Sequence, residues 1–295
     1  MHRKETQMGA SWDGRKLSVA VPASAISDIP HLREKTGRLG AIARACSIFG
    51  VNEIILYPDD ARRDQKADLE LCAEILNFLE TPQYLRKRLF RLSPNLRFTG
   101  ILPPLQTPPH DGPRSLEACK VGDLRQGIVV AKQKGKLRVE VGLEKLLECE
   151  GDLSIGTRVT VEIRELGENL TGEIVDEAKI RIYWGYRVRQ PKFRLGSLLE
   201  KEKFKLKVGT SRYGTRILDV WSEITNSMKN AGSILIAFGS PRMGLREILR
   251  QEGKATQDVF DYFVNTAPGQ KVSTVRTEEA LLISLGVLNL MRFGD

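Results

Sequence analysis

The sequence predicts an α/β chain in which a small β-barrel is inserted into a sheet-and-helix domain, and three observations carry that expectation. The chain has 295 residues, more than one typical domain, so two are expected. Residues 233–238 are a continuous apolar run of strand length, residues 53–57 read as a strand, and the segment before 53–57 repeats apolar residues at helical spacing. Between them, residues 126–131, 136–141, 158–164 and 172–175 are short β-like runs separated by Gly or charged turns, the spacing of a small barrel.

In chain order, residues 1–15 are polar and charged and are expected to be a mobile basic tail rather than a signal peptide, which places the protein in the cytoplasm. Leu39, Ile42, Ala43, Cys46 and Phe49 define a helix running into strand 53–57. A Pro-rich turn at 101–109 opens the insert, bounded at residues 99–184. Residues 16–98 and 185–295 then form one discontinuous domain. Residues 204–208 read as a strand followed by a loop at 210–214. Residues 233–238 read as a strand followed by a Gly-rich turn and a short helix to about residue 251. The last helix begins at Thr277, an N-cap residue type, with Glu278 and Glu279 where the macrodipole favours acids. It is apolar on nearly every face to about residue 291 and is expected to be buried all round.

Two segments have the chemistry to hold a small polar cofactor. The loop Asn265, Thr266, Ala267, Pro268, Gly269 and Gln270 feeds that helix N-terminus, whose first N–H groups have no intrahelical acceptor. Gly239, Ser240, Gly244 and Leu245 follow Ala237 and Phe238 at the carboxyl end of a strand, where open parallel sheets bind ligands. A strand followed by a Gly-rich turn is also an ordinary α/β connection.

The net charge is +9, from 46 Lys and Arg against 37 Asp and Glu, and its distribution points to RNA. Residues 84–98 contain Arg86, Lys87, Arg88, Arg91 and Arg97 with no acid. Residues 179–199 contain Arg181, Arg187, Arg189, Lys192 and Arg194, again without an acid, among Tyr183, Trp184, Tyr186 and Phe193. Cations for phosphates and rings for stacking suit single-stranded RNA, although the rings are equally suited to a strand core. Lys132, Lys134, Lys136 and Arg138 surround a hairpin turn at Gly135, a basic tip within reach of phosphates.

Several classes are disfavoured. No apolar run is long enough for a membrane span. Cys46, Cys72, Cys119 and Cys149 are irregularly spaced, and His2, His31 and His110 form no motif, so neither a disulfide frame nor a metal site is expected. No G-x-G-x-x-G or Walker A motif is present.

Taken together, residues 38–51, 239–245 and 265–280 resemble the three motifs of SPOUT-class S-adenosylmethionine-dependent RNA methyltransferases. Gly40, Ile42, Arg44, Phe49 and Gly50 match the first motif, and Gly239, Ser240, Gly244 and Leu245 the second. Arg38 and Pro241 replace the Asn and Glu of the ribose-methylating branch, and the third motif reads Thr-Val-Arg-Thr-Glu-Glu over residues 274–279. The chain is therefore similar to the branch carrying an inserted OB-like domain. That resemblance implies a trefoil-knotted α/β domain, a homodimer and S-adenosylmethionine bound in the knot. The cofactor walls would be Ala237, Phe238, Gly239 and Ser240 on one side and Asn265 to Gln270 with Val275, Thr277 and Ala280 on the other. Arg212 would pair with the methionine carboxylate. Arg44 would orient the acceptor, with Arg276 and Glu279 as further catalytic candidates, unless Glu279 only caps its helix. Arg38 joins the basic runs as an RNA contact. The lost ribose-specific residues favour methylation of a base, uridine N3 first, in rRNA or another structured RNA. Ribose 2′-O-methylation and a non-enzymatic RNA- or ribosome-binding role stay as alternatives.

Overall fold

The computed structural model describes residues 14–113 and 115–294. The expected tail at 1–15 lies outside the described residues except for Gly14 and Arg15. The chain forms two compact units, one from residues 14–80, 94–103 and 186–294, the other from 81–93 and 104–185.

The first unit starts with β1 (Lys16–Pro22), α1 (Leu32–Ile48), β2 (Glu53–Tyr57) and α2 (Lys66–Glu80). The second unit contains α3 (Gln83–Leu89) and β3 (Leu124–Gln133), β4 (Lys136–Glu140), β5 (Leu147–Glu150), β6 (Arg158–Glu165) and β7 (Thr171–Ile174). The chain then returns to the first unit with β8 (Arg187–Arg189), α4 (Leu195–Lys201), β9 (Leu206–Arg216), α5 (Trp221–Asn230) and β10 (Ser233–Ala237). It ends with α6 (Leu245–Arg250), α7 (Thr256–Val259), β11 (Tyr262–Asn265) and α8 (Thr277–Phe293).

The first unit is built on a six-stranded sheet in the order β11-β9-β10-β1-β2-β8, and every pairing in it is parallel. Both of its faces are covered, which is why the interiors of β2 and β10 read as apolar runs. One face packs Ala20, Ile55, Tyr57, Leu235 and Ala237 against Leu198, Leu245 and Ile248 of α4 and α6. The strand order reverses between β1 and β10, so the crevice at their carboxyl ends is where such a sheet binds ligands.

The second unit is a closed barrel, β3-β4-β5-β7-β6, which is the 1-2-3-5-4 order of an OB-type barrel. Alternation fills it: Leu137, Val139, Leu147, Cys149, Val161 and Ile163 point inward. β5 has no counterpart among the strands expected from sequence. Its four residues alternate Leu147 and Cys149 inside with Glu148 and Glu150 outside, too short a pattern to register against its charged neighbours. The hairpin at Gly135 does form, with Lys134 at φ 49° and Gly135 at φ 79°.

Two further expectations are corrected, and a reading left open is decided in part. Residues 210–214 are not a loop but part of β9, because β11 pairs with it through Val264–Thr215 and Asn265–Arg216 beyond a bulge and satisfies its backbone. α8 is not buried all round: Leu281, Leu285, Leu288 and Met291 face the core, while Leu282, Ile283, Leu290 and Phe293 are exposed along its length. Of the rings at 183–193, Tyr186 and Trp184 take structural roles. Tyr186 is buried with its hydroxyl donating to Leu76 O (2.9 Å), and Trp184 donates to Thr160 Oγ1 (2.9 Å). Phe193 stays exposed beneath the Lys201 ammonium. All four cysteines are free and buried, and among the described residues no group of side chains could hold a metal ion. No described helix is long and apolar enough to cross a membrane.

Candidate active site

The carboxyl ends of β9, β10 and β11 surround a cavity of about 460 Å³. Its walls come from β9 (Thr210, Ser211, Arg212, Tyr213), the loop after β10 (Phe238 to Gly244), the loop after β11 (Asn265, Thr266, Ala267, Gln270, Thr274, Val275) and α8 (Thr277, Ala280, Ile283, Ser284). Each loop is fixed by its own short-range bonds. Ser240 N–H donates to Met243 O (2.9 Å) and Met243 N–H to Ser240 Oγ (3.0 Å), while Glu247 accepts from Gly244 N–H (3.0 Å). Asn265 accepts from Ala267 N–H (3.0 Å) and donates to Arg212 O (3.0 Å), tying the third loop to β9. Thr266 bonds Ser284 through their hydroxyls (2.7 Å), and Thr277 Oγ1 reaches Gly239 O (3.4 Å). The start of α8 is thus held against the loop after β10.

Crowding favours glycine at position 239. A Cβ there would lie 3.1 Å from Met243 O and 3.2 Å from Leu245 N, so any larger residue would push the turn open by a few tenths of an ångström. Beneath it, Tyr57 donates to Phe238 O (2.5 Å). Burial, then the charges of Asp59 and Glu252, push its phenol up, so it remains a donor. The cavity combines apolar surface from Phe238, Val275 and Ile283 with hydroxyls and backbone groups, and Arg212, Arg242, Arg246 and Arg250 supply positive charge. Arg212 donates to Ser273 O and lies over the Tyr213 ring. That chemistry suits a ligand with a flat ring system and an anionic end.

Of the residues singled out in the sequence for a cofactor, Arg212, Phe238, Gly239, Ser240, Gly244, Asn265, Thr266, Ala267, Gln270, Val275, Thr277 and Ala280 line this cavity. Ala237 and Leu245 are fully buried behind it, and Pro268 is not among its lining residues. Sequence reading missed Tyr213, Arg242, Arg246, Arg250, Ile283 and Ser284. Arg246 and Arg250 share the i, i+4 spacing of one face of α6, a signal that a basic helix face meets the site, whereas Arg242 comes from the turn before that helix.

The catalytic candidates lie elsewhere. Arg44, half-buried on α1, is not among the lining residues. Glu279 accepts from Arg276 N–H (2.8 Å) and is exposed, so its carboxylate caps α8, and Arg276 is the capped residue. Among the described residues lining the cavity, Glu247 is the one carboxylate, and it is held as the cap of α6.

Two RNA candidates are corrected. Arg38 is buried and ion-paired, with Asp28 on one side and Glu278 at 3.1 Å on the other, and it donates to Ala25 O (2.8 Å). Arg189 is clamped between Glu53 (2.8 Å) and Glu202 (2.6 Å). The bonds to Glu202 lead in raising its pKa. Neither guanidinium is presented for phosphate. Arg86 is half-buried and donates to Thr81 O (2.9 Å), Arg88 sits 3.9 Å from Glu140, and Lys132 pairs with Asp152. Lys87, Lys134, Lys136 and Arg187 are exposed.

Residues 16–288 match the family described as "Putative RNA methyltransferase". The chain belongs to this RNA methyltransferase family. It is 33% identical to a Drosophila melanogaster protein named 28S rRNA (uridine-N(3))-methyltransferase, over 92% of this chain and 61% of that one. Proteins with the same name from Homo sapiens (32% identical) and Mus musculus (33%) are matched over 92% of this chain and 77% and 75% of theirs. The chain therefore spans about three fifths of the Drosophila relative's length. An RNA methyltransferase requires a methyl donor, and the cavity described above has the size and lining for one.

Proposed function

We propose that this RNA methyltransferase transfers the methyl group of S-adenosylmethionine to N3 of a uridine in ribosomal RNA. The observation that carries the reading is the 460 Å³ cavity walled by the loops after β10 and β11 and by the first turns of α8, in a chain whose relatives are named for uridine-N3 methylation of 28S rRNA. Bound there, the sulfonium supplies an electrophilic methyl. Phe238, Val275 and Ile283 would flank its adenine, and Arg212 or Arg246 would pair with its carboxylate. On this reading the connection from β11 to α8 forms the knot of the SPOUT class.

As N3 attacks the methyl carbon the carbon–sulfur bond breaks, and the N3 proton must leave to water or a base. With Glu247 held as a cap, the protein's own contribution is positioning and cationic stabilisation of the developing uridine anion. Arg44 fits that role if it is contributed by the partner subunit of a homodimer. The exposed stripe of Leu282, Ile283, Leu290 and Phe293 on α8 supports such a dimer, since an apolar helix face on a basic chain favours a second copy over water.

The test is calorimetry with S-adenosylmethionine followed by mass spectrometry of nucleosides from rRNA treated with the protein. Micromolar or tighter binding and appearance of 3-methyluridine are expected. A product methylated only at the ribose 2′-hydroxyl would overturn the base assignment, and absence of binding would overturn the enzyme.

A further inference from the structure

A second cavity, of about 300 Å³, opens at the carboxyl ends of β1 and β2. It shares Arg242 and Met243 with the first cavity, so the turn after β10 is the wall between them. Its other lining residues are Ser24 and Ser27 after β1, and Asp60, Arg62, Arg63 and Gln65 after β2.

This cavity is built rather than incidental. Asp59 is fully buried and accepts from Ser24 N–H (3.0 Å), the Ser24 hydroxyl and Gln65 Nε2 (2.9 Å). Gln65 in turn accepts from Asp59 N–H (2.9 Å) and Asp60 N–H (3.0 Å). Gln251, at the end of α6, donates to Asp59 O (3.2 Å) and accepts from Ala61 N–H (2.8 Å). The same Gln251 amide reaches Met243 Sδ (3.4 Å) in the turn after β10, so hydrogen bonds join all three loops that form the cavity.

Two observations point to an anion. Arg62 is paired with Asp60 (3.1 Å), which leaves Arg63 and Arg242 as exposed cations on the wall. Ser27 also lines the wall, and its hydroxyl is turned inward, buried with no hydrogen-bond partner. A buried hydroxyl without a partner is costly; rotation about its Cα–Cβ bond would let it donate to a phosphate oxygen in the cavity, whose charge Arg63 and Arg242 on the same wall would offset. The volume is at the small end of ligand pockets, enough for one nucleotide.

We infer that this second cavity binds a phosphate carried by a nucleotide of the RNA strand, next to the nucleotide whose base enters the first cavity. The assignment rests on the RNA methyltransferase reading. Met243 and Arg242, common to both cavities, set the spacing between methyl donor and bound phosphate. The phosphate would fix the register of the strand while the first cavity selects the base.

Uridine 5′-monophosphate, uridine and inorganic phosphate are titrated separately into the full chain and followed by protein NMR. The monophosphate is expected to shift signals at Ser24, Ser27, Asp60, Arg63 and Arg242, and to bind at least tenfold tighter than uridine or inorganic phosphate. Ser27→Ala, which removes only an unpartnered hydroxyl, and Arg63→Ala, at an exposed position, should each weaken it fivefold or more with the fold intact. Equal binding of uridine would remove the phosphate, and equal binding of inorganic phosphate would remove the nucleotide. Undiminished binding by both variants, or no shifts in these loops at millimolar monophosphate, would overturn the site. Calorimetry with S-adenosylmethionine on the same samples reports separately on the first cavity, so failure of the methyl-donor reading is distinguishable from failure of this one.

Discussion

Arg38 and Glu278 face each other at 3.1 Å inside the fold, joining α1 to the first turn of α8. Their angle is not that of an aligned hydrogen bond, so the contact is one of charge. Arg38 also reaches Asp28 and Ala25 O, and one guanidinium thereby fixes the loop after β1, α1 and the helix that closes the candidate active site. Arg38→Ala should cost about 3 kcal/mol, the loss expected when one partner of a buried ion pair is removed. Urea unfolding checks this, and a donor cavity with its α8 wall loosened should bind S-adenosylmethionine more weakly as well.

The same cluster predicts an acid dependence. Burial raises the Asp28 pKa, but the Arg38 hydrogen bond and charge more than reverse this and leave it below the ordinary 3.8. A carboxylate depressed in the fold contributes its full stabilisation above its unfolded pKa and loses it as pH falls through the lower folded value. Stability of the parent should therefore fall below about pH 4 by more than that of Asp28→Asn, measured by urea midpoints between pH 2.5 and 6.

Gly239→Ala should lower donor affinity tenfold or more with little change in melting temperature. The added carbon would meet Met243 O at 3.1 Å and Gly244 Cα at 3.2 Å, so the turn itself must shift, rather than the side chain merely filling the cavity. Calorimetry and thermal unfolding on one preparation separate the two effects, and unchanged affinity would show that this turn does not contact the donor.

Leu290→Lys should convert a dimer to a monomer. Leu290 is 62% exposed on the apolar stripe of α8, so the substitution costs the isolated chain little while placing a charge in the proposed interface. Sedimentation at micromolar concentrations distinguishes the outcomes, and a monomeric parent would remove the dimer reading.

Lys134→Glu combined with Lys136→Glu should weaken single-stranded RNA binding at low salt about tenfold and reduce the salt slope by roughly one to two, as two phosphate contacts are lost. Both lysines are exposed at the β3–β4 hairpin. Fluorescence anisotropy across a salt series tests this, and an unchanged slope would take the barrel tip out of RNA contact.

Gly142→Ala should destabilise the barrel by about 2 kcal/mol or more, because strain and overpacking combine. Gly142 has φ 72°, and a Cβ there would meet the Tyr84 ring at 2.3 Å. Thermal unfolding of the full chain reports it.

Much of the fold was legible because burial on both sheet faces leaves continuous apolar runs: β2 and β10 were read within a residue of their ends. The loops after β10 and β11 were legible for a related reason, since a tight turn at a strand end restricts residues such as Gly239 by local geometry. Charged residues were harder. Arg38 and Lys134 look alike in sequence, yet one is buried between carboxylates and the other sits at an exposed turn.

By itself the sequence determined the α/β class, the inserted barrel and the two loops that wall the cavity, because periodicity and turn chemistry are local properties of the chain. Only the tertiary structure decided which cations are exposed and which are held by Asp28, Glu278, Glu53 and Glu202. It alone brought Ser27, Arg63 and Arg242 to one cavity, and it left one face of α8 uncovered. The physical reason is distance along the chain: ion pairs and shared walls join residues tens to hundreds of positions apart, and no local pattern encodes which of them will meet.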